Sequence, residues 1–547
     1  MNARNILYII PPYFNIQDYI TKNQKHFLPA FEIPYGVLSI DSYIKHKSKY
    51  KTHTSLIDLN IEVSALLNKN SSKFIDIKRI IYNYLNNSII KFDIVAISAL
   101  FNSCYNYIED ILSLIKDVNK NKQPLVVMGG GLASNLYKRI LLDFPLIDGL
   151  CYAEGEIPML DLIDSDNYIE LMDNHPSWIT RKSLKDGMSP SPSYVKNLDD
   201  IPSLSYELVD INKYNSRSTS LYSKNNSESR FKKELPIHTS RGCPFHCVYC
   251  ASGTLHGNEI RYMSIEKVLY EIDLMIDKFK INTLLIEDDH FLGDKKRAIK
   301  ILKELTRKNI KLFFPNGLAV YAIDEEVGQL LKLAGAETVE LAVESGSEYV
   351  LKNLINKPLN KNDIKHAVEI LRKNDIRIHA FIVIGIPGET DKHRTETLQM
   401  IKETGFDWVR FFIAIPVVGS RLYDICIDNN YITDTDFRNH IVNKGTISAP
   451  GVNPEEIVKI SYLMNLETNF LFNYNILNKK YEIAIIYFRN VIKKYPNHAF
   501  AYYALSKCYN LMGKNHDLAE KYSLKFREII QKDMEWYSYA CHFGLIN

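Results

Sequence analysis

Strands and helices alternate in two long series along this 547-residue chain, and that alternation limits the fold more than any other feature. Apolar β-branched runs separated by helical periodicity are typical of parallel sheets with crossover helices. The first series predicts a doubly wound, Rossmann-like sheet with strands at 5–10, 54–59, 93–100, 124–128 and 149–153. Ligands of such sheets bind beyond the carboxyl ends of the strands, so the segments there are candidate binding loops.

The second series predicts six strand–helix units, which suit a partial barrel open on one side. Its strands are predicted at 236–239, 283–287, 311–314, 338–343, 377–384 and 408–415. Helices are predicted between them at 265–279, 295–307, 325–334, 361–373 and 394–404. The fold class is therefore α/β, and the last hundred residues read as helices. We divide the chain into a Rossmann-like domain (1–165), a linker rich in Ser, Asn, Asp and Pro (166–232), the partial barrel (233–445) and an all-α domain (446–547).

Bulk properties exclude several classes of protein. The length is too great for one ordinary core. No apolar run approaches the length of a membrane span, and the first apolar stretch is cut by Pro11 and Pro12. The net charge of +3 is spread along the chain, which indicates no nucleic-acid partner. We expect a cytoplasmic protein with neither a membrane nor a nucleic acid as partner.

Three cysteines lie close together in the segment that follows the first predicted barrel strand. Cys243, Cys247 and Cys250 have a spacing suited to holding three irons of a cubane cluster and leaving the fourth iron open. An electron-carrying ferredoxin would add a nearby fourth thiolate, but the next cysteine is Cys426. A zinc site is the alternative; it needs four ligands, and His246 would supply one only from inside the cysteine loop, in a strained geometry.

The barrel motifs resemble, in strand order, those of the radical S-adenosylmethionine (SAM) superfamily. They include C-x3-C-x2-C, a D-D-x-F pattern, an E-S-G-S pattern and the turn G-I-P-G-E-T. The resemblance implies that the three cysteines bind a [4Fe-4S] cluster. It also implies that SAM contacts Tyr249, Asp288, Asp289, Asn316, Glu344, Ser345, Gly385, Pro387 and Glu389. In this scheme the acidic pair meets the SAM ammonium, Glu344 and Ser345 meet the ribose, and the last three residues close on the adenine.

The chemistry implied by this resemblance begins with electron transfer from the reduced cluster into the sulfonium of SAM. The resulting 5′-deoxyadenosyl radical abstracts hydrogen from the substrate. An external electron donor, such as flavodoxin or ferredoxin, is an expected partner. No catalytic side chain is assigned beyond the cluster cysteines.

The N-terminal half resembles the cobalamin-binding domain that precedes many radical SAM barrels. The resemblance implies that cobalamin contacts Ser98, Leu100, Phe101, Asn102, Gly129, Gly130, Gly131, Tyr152, Glu154 and Gly155. Two features depart from the pattern: Ala153 stands where glycine is usual, and no D-x-H-x-x-G segment offers a histidine ligand to cobalt. A degenerate domain kept as scaffold is the alternative.

Our leading hypothesis is a cobalamin-dependent methyltransferase that acts on an unactivated carbon. The alternative is a cobalamin-free radical SAM enzyme that cyclises, rearranges or oxidises a natural-product or peptide substrate. A third hypothesis, a non-catalytic metal-binding interaction protein, predicts decayed SAM motifs, and these motifs are intact. The expected substrate is a small metabolite of natural-product biosynthesis, with a peptide or carrier-bound substrate as the other possibility.

The C-terminal region carries a partial tetratricopeptide pattern. Ala484, Phe488 and Pro496 match half of one repeat, and Tyr502 and Tyr509 fit the opening of the next. This pattern predicts either a surface that binds substrate or a cap on the barrel. Cys426 is either a radical-quenching thiol or a buried core cysteine.

Overall fold

The first sheet is doubly wound and lies in the N-terminal part of the chain. The structure, a computed structural model, describes residues 3–17, 31–68, 76–87, 92–118, 123–214, 233–433, 436–439 and 444–546. The strands of this sheet are β1 (Arg4–Ile10), β2 (Thr52–Asp58), β3 (Ile94–Ser98), β4 (Leu125–Gly129), β5 (Gly149–Cys151) and β6 (Trp178–Ile179). Their order is β2-β1-β3-β4-β5-β6, and all neighbours are parallel except β5 and β6.

Helices cover both faces of this sheet. Alternate residues of β1 and β3 enter two separate apolar cores, one on each face, which explains why these strands are nearly continuous apolar runs. The helices described in this part are Tyr35–Lys47, Leu59–Asn68, Ile77–Asn87, Tyr105–Val118, Gly131–Asn135, Tyr137–Asp143, Glu156–Asp164, Tyr168–Asn174 and Arg181–Lys185.

Strand β6 lies inside the segment that we predicted to be a linker. Trp178 is 2% exposed, and it pairs antiparallel with Cys151 of β5. An apolar strand that buries both of its residues extends the sheet, so the first sheet reaches beyond residue 165. The rest of the predicted linker is described only to residue 214. The division into domains stays a prediction.

The second series forms six parallel strands in chain order. They are β7 (Glu234–Ile237), β10 (Thr283–Ile286), β11 (Lys311–Phe313), β12 (Thr338–Glu344), β13 (Arg377–Ile384) and β14 (Trp408–Ile413), and a short antiparallel pair, β8 (Ser240–Arg241) and β9 (Arg261–Tyr262), follows β7. Regular ladders join β7-β10-β11 and β12-β13-β14. Isolated parallel bridges from Leu312 to Ala336 and from Leu318 to Leu341 connect the two groups.

The helices of this series confirm the predicted alternation. Those described are Ser252–His256, Ile265–Phe279, Lys295–Leu305, Glu325–Leu333, Lys361–Lys373, Asp391–Thr404 and Arg421–Asp428. Two of them and strand β13 have the predicted bounds. Strand β14 ends two residues earlier than predicted, three residues before Pro416, which has no N–H for a ladder.

The C-terminal region is helical, as predicted. Its helices are Pro454–Leu466, Tyr474–Leu477, Tyr481–Lys494, Ala499–Met512, His516–Lys532 and Met534–His542. The apolar core of this region includes Trp408 of β14, whose ring stacks on Tyr487. The Asn469 amide forms hydrogen bonds with both the N–H and the C=O of Val409 at 2.8 Å. These bonds pair backbone groups at the edge of β14 that a neighbouring strand would otherwise pair. The tetratricopeptide assignment stays a prediction.

Among the described residues, we find no helix that has both the length and the apolar character of a membrane span.

Candidate active site

The cysteine loop is a closed excursion between β8 and β9. The ladder pairs Ser240 with Tyr262 and Arg241 with Arg261, so residues 242–260 leave and return at one point. Gly242 has φ +99°, and a Cβ there would lie 2.4 Å from the carbonyl oxygen of Glu259. Only glycine allows this closure without strain.

Distant parts of the barrel hold the tip of the loop. The N–H of Val248 donates to the carbonyl of Ile355 at 2.9 Å, and the N–H of Leu422 donates to the carbonyl of Val248 at 2.7 Å. Ile355 follows β12 and Leu422 follows β14. The loop is therefore bonded to the chain beyond the carboxyl ends of these strands, where α/β folds bind their ligands.

The three loop thiols are partly or fully accessible. Cys243 and Cys247 are partly exposed and Cys250 is exposed. Desolvation by the surrounding loop raises the pKa of all three thiols, to about 11 for Cys247, and a bound metal would favour their ionised form. In the part of the chain that is described, no three His, Cys, Asp or Glu side chains are arranged to hold one metal ion, and His246 is exposed.

The two adjacent aspartates after β10 point in different directions. Asp288 is 2% exposed, and its carboxylate accepts from Thr239 N, Thr239 Oγ1 and Ser240 Oγ, each at 2.6 Å. Burial raises the pKa of Asp288. Asp289 instead accepts from the Ser252 hydroxyl, and the N–H of Ser252 donates to the Cys250 sulfur at 3.5 Å. Asp288 thus anchors the base of the loop, and only Asp289 faces the thiols.

Glu344 lies at a distortion where β12 ends. The register shifts between Ala342 and Glu344, and Glu344 has φ +68°, which is rare for a residue with a side chain. Its carboxylate pairs with Lys357 Nζ at 2.9 Å and lies close enough to Tyr249 of the cysteine loop to influence the pKa of that phenol. Burial, and then the Glu344 charge, raise the pKa of Tyr249 well above its ordinary value. The structure therefore joins Glu344, Tyr249 and Lys357, three residues of separate motifs.

Two other predicted SAM contacts are turned into the protein. Ser345 is fully buried, and its hydroxyl pairs with Thr397 Oγ1 at 3.1 Å on the helix Asp391–Thr404. Glu389 is also fully buried, and it accepts from Gly385 N at 2.6 Å and from Arg394 at 3.3 Å. Burial raises the pKa of Glu389. Both residues hold strand ends in place.

Of the remaining predicted SAM contacts, Asn316 and Pro387 are accessible and Gly385 is buried. Asn316 is exposed and its amide donates to the carbonyl of Glu287 at 2.8 Å. Pro387 is partly exposed beside Gly385, which adopts φ +83° to form the turn. These residues stand at the carboxyl ends of β11 and β13, as the sequence predicts.

The carboxyl edge of β3 and β4 is a glycine-lined, apolar surface. A Cβ on Gly130 would lie 2.5 Å from the carbonyl oxygen of Ala99, and one on Gly131 would lie 2.8 Å from that of Leu100. The glycines thus let the two strand ends approach closely. Leu100 is 53% exposed and Phe101 is 46% exposed. Ser98 pairs with Gly129, and Asn102 starts the following turn.

The E-G-E run after β5 faces the barrel rather than this open edge. Glu154 is 6% exposed, and it contacts Arg241, His256 and Arg261 of the barrel. These contacts lower the pKa of Glu154 far below its ordinary value against the opposing effect of burial. Of the predicted cobalamin contacts that follow β5, Glu154 is therefore already bonded to the barrel.

The neighbours of Glu154 in this run are held by the N-terminal part of the chain. Gly155 packs under Ile40, where a Cβ would lie 2.5 Å from the Ile40 side chain. Ala153 adopts φ +62° in the position where glycine is usual. Tyr152 is half-buried, and its N–H donates to the Ser177 carbonyl at 2.8 Å.

The carboxyl edge of the first sheet and the cysteine loop adjoin each other. A Cβ on Gly131 would lie 3.6 Å from Leu255, which belongs to the cysteine excursion. A Cβ on Gly419, beyond β14, would lie 2.2 Å from the Asn135 side chain. The candidate cobalamin edge and the candidate cluster loop therefore lie side by side.

Sequence reasoning missed several residues of this region. Arg241 and Arg261 form ion pairs with Glu154, and His256 lies within hydrogen-bond distance of it. No local pattern reveals these contacts, although Arg241 stands within the cysteine motif. His290, inside the D-D-x-F pattern, lies 2.7 Å from the Tyr321 hydroxyl, and burial lowers the pKa of His290. Their proximity to the loop comes from the tertiary fold.

The chain is similar in sequence to a known family and to several characterised proteins. Residues 237–401 match the model of the Radical SAM superfamily. The chain is 28% identical over 406 residues to cytidylyl-2-hydroxyethylphosphonate methyltransferase of Streptomyces wedmorensis, covering 69% of this chain and 75% of that protein. It is 24% identical over 358 residues to anaerobic magnesium-protoporphyrin IX monomethyl ester cyclase of Rubrivivax gelatinosus, covering 64% and 61%.

Two solved structures share the fold. The cobalamin-dependent SAM radical enzyme OxsB, with aqua-cobalamin and SAM bound, aligns with a TM-score of 0.65 at 15% identity, covering 100% of this chain and 82% of that one. The radical SAM methyltransferase TsrM from Kitasatospora setae, with cobalamin and a [4Fe-4S] cluster bound, aligns with a TM-score of 0.56 at 16% identity, covering 78% of each chain.

Proposed function

We propose that this radical SAM enzyme, whose radical SAM domain spans residues 237–401, transfers a methyl group to an unactivated carbon with cobalamin as the methyl carrier. The observation that carries the proposal is the contact of the Gly131 edge of the first sheet with the cysteine excursion at Leu255. A methyl carrier and a radical source must act on one substrate, so their sites must adjoin. The methyltransferase among the relatives supports the same conclusion.

When bound, the cluster supplies the electron that cleaves SAM, and cobalamin carries the methyl group. The chain's own residues bind and orient these groups. Cys243, Cys247 and Cys250 would hold the cluster. Asp289, which faces the thiols, is the carboxylate available to the SAM ammonium.

The ribose and adenine of SAM would lie at the carboxyl ends of β11, β12 and β13. Glu344, with Lys357 and Tyr249 around it, is the acceptor available to a ribose hydroxyl. Asn316 and the turn at Gly385 and Pro387 are available to the remaining parts of SAM. Asp288, Ser345 and Glu389 would act by holding these elements, since each side chain is buried and accepts or shares a hydrogen bond within the protein.

The fit to cobalamin rests on the edge of β3 and β4. Ser98, Gly129 and the two glycines after it would receive the nucleotide tail, because glycine lets a backbone approach a bulky ligand closely. Asn102 belongs with Leu100 and Phe101 to the loop that would face the corrin. Leu100 and Phe101 would lie against the corrin ring, which explains why two large apolar side chains are half exposed there. Tyr152 borders the same edge.

We further propose a small-molecule substrate and an external electron donor, flavodoxin or ferredoxin. The C-terminal helices share a core with Trp408 of β14 and satisfy the edge of that strand. A cap that completes the barrel accounts for both contacts, so the region need not provide a peptide groove.

Anaerobic reconstitution with iron and sulfide, then hydroxocobalamin, desalting and absorption spectroscopy, tests the proposal. We expect a broad iron–sulfur band together with a stoichiometric corrinoid band. Retention of the cluster without corrinoid would overturn the cobalamin assignment. Retention of neither would overturn the assignment of both cofactor sites.

A second candidate function is ring closure or oxidation without methyl transfer, which the cyclase among the relatives favours. Product analysis separates the two. Methyl transfer from SAM releases S-adenosylhomocysteine, whereas radical cyclisation releases only methionine and 5′-deoxyadenosine. S-adenosylhomocysteine formed in proportion to product would support the methyltransferase, and its absence would support the second candidate.

A further inference from the structure

We propose that Glu154 and Glu156 clamp the base of the cysteine loop to the first sheet, and thereby set the position of the radical source relative to the methyl carrier. These glutamates act as positioning residues and not as cofactor ligands. The effect of the clamp on methyl transfer rests on the proposed function. The clamp itself consists only of contacts between residues of this chain.

Glu154 is bonded from three sides by the barrel. Its two oxygens lie 3.0 and 2.5 Å from the Arg261 guanidinium, and Arg241 Nη1 lies at 3.1 Å. His256 Nδ1 lies at 2.8 Å. Glu154 is 6% exposed, and Arg241 is also buried. The carboxylate has no capacity left for a cofactor.

Glu156 completes the clamp through Arg241. Arg241 Nη2 lies 2.9 Å from Glu156 Oε1, and the Ser39 hydroxyl donates to the same oxygen at 2.6 Å. One guanidinium therefore bridges two carboxylates of the segment that follows β5. Burial of all these groups means that loss of one partner leaves an uncompensated charge.

The cations of the clamp bracket the cysteines along the chain. Arg241 lies in β8, immediately before the excursion, and Arg261 lies in β9, immediately after it. These two residues are also the paired positions of the β8–β9 ladder. His256 ends the short helix inside the excursion. Both ends of the excursion are thus fixed to the segment that follows β5.

The clamp determines which surface the excursion presents to the first sheet. The helix Ser252–His256 carries Leu255, which lies against Gly131 at the candidate cobalamin edge. Small displacements of reacting groups have large effects on rate. We therefore expect that a loosened clamp reduces the reaction that needs both cofactors more than the reaction that needs the cluster alone.

The experiment compares Glu154→Gln and Arg261→Lys with Glu326→Gln in the full-length protein. Glu326 forms an exposed ion pair with Lys303 at 2.8 Å on the outside of the barrel, which makes its variant a matched control. Hydrogen–deuterium exchange on the protein before cofactor loading is the first readout. We expect faster exchange in peptides covering 150–160 and 240–262 for the two clamp variants only.

The second readout uses reconstituted protein with SAM and a reductant. S-adenosylhomocysteine reports methyl transfer to the corrinoid, and 5′-deoxyadenosine reports SAM cleavage at the cluster. We expect the ratio of the first to the second to fall by about tenfold or more in Glu154→Gln. Arg261→Lys, which keeps the charge but loses the two-pronged contact, should give an intermediate ratio.

Exchange that stays at the control level in both clamp variants would overturn the clamp. Faster exchange with an unchanged ratio would overturn its positioning role. If the unaltered protein retains no corrinoid, the proposed function fails, but the exchange comparison still decides whether the clamp exists.

Discussion

Replacing Asp288 with alanine should loosen the cysteine loop. This change distinguishes two possible roles of the acidic pair after β10, namely anchoring the loop and binding the SAM ammonium. The alanine removes the acceptor of three hydrogen bonds at 2.6 Å, from Thr239 N, Thr239 Oγ1 and Ser240 Oγ. Each buried donor without a partner costs about 1–3 kcal/mol. Relief of the buried carboxylate's desolvation, visible in the raised pKa of Asp288, offsets part of that cost.

The net loss should be about 3 kcal/mol of local stability, which corresponds to about 1 kcal/mol for each of the three donors left without their acceptor. A loss of about 3 kcal/mol corresponds to exchange roughly a hundredfold faster or more. Hydrogen–deuterium exchange of peptides covering 234–263 measures this directly, and it does not require two-state unfolding of a multidomain chain. Iron retained after reconstitution and desalting should fall as well.

The neighbouring aspartate supplies the control. Asp289→Asn removes a carboxylate that faces the thiols and is exposed, so exchange should stay at the wild-type level while SAM affinity falls. The opposite pattern would refute this reasoning. If Asp288→Ala exchanged normally and lost SAM affinity, Asp288 would be a direct SAM contact, as the sequence resemblance implies.

Three other outcomes follow from the structure. Cys243→Ser should abolish iron retention and SAM cleavage, whereas Cys426→Ser, at a fully buried thiol after β14, should keep both; iron analysis and 5′-deoxyadenosine assays check this. Gly130→Ala should lower corrinoid retention and the melting temperature more than Gly187→Ala, because both glycines have positive φ but only the first would place a Cβ 2.5 Å from a carbonyl oxygen. Because contacts hold the pKa of Glu154 well below its ordinary value of 4.5, its stabilising effect is present above that pH and is lost as the pH falls below it. The stability difference between wild type and Glu154→Gln, measured by thermal unfolding, should therefore shrink on acidification, and a constant difference would contradict the ion pairs.

Several elements of the fold and one close backbone approach were predictable because their sequence signals are local. Strand and helix periodicity located Ile265–Phe279, Lys361–Lys373 and Arg377–Ile384 at their observed bounds. Glycines after β4 indicated a close backbone approach, which the Ala99 and Leu100 contacts now explain. Hydrophobic periodicity and turn residues depend on a few neighbouring residues, so they can be recognised in the sequence without knowledge of the tertiary fold.

Other assignments depended on where a side chain points. Asp288 and Asp289 are adjacent and chemically identical, yet one is buried against Thr239 and the other faces Ser252. Ser345 matched a ribose motif but is bonded to Thr397 on a helix. Motif resemblance identifies positions in the chain, and it does not state which neighbour satisfies each polar atom.

The sequence by itself determined the two parallel sheets, the helical C-terminal region and the cysteine spacing, because each is set by residues close together in the chain. The tertiary structure alone decided that Glu154 pairs with Arg261, 107 positions away, and that the Gly131 edge meets Leu255. Ion pairs and contacts between sheets depend on how the sheets pack, and packing is settled by the whole core rather than by any segment.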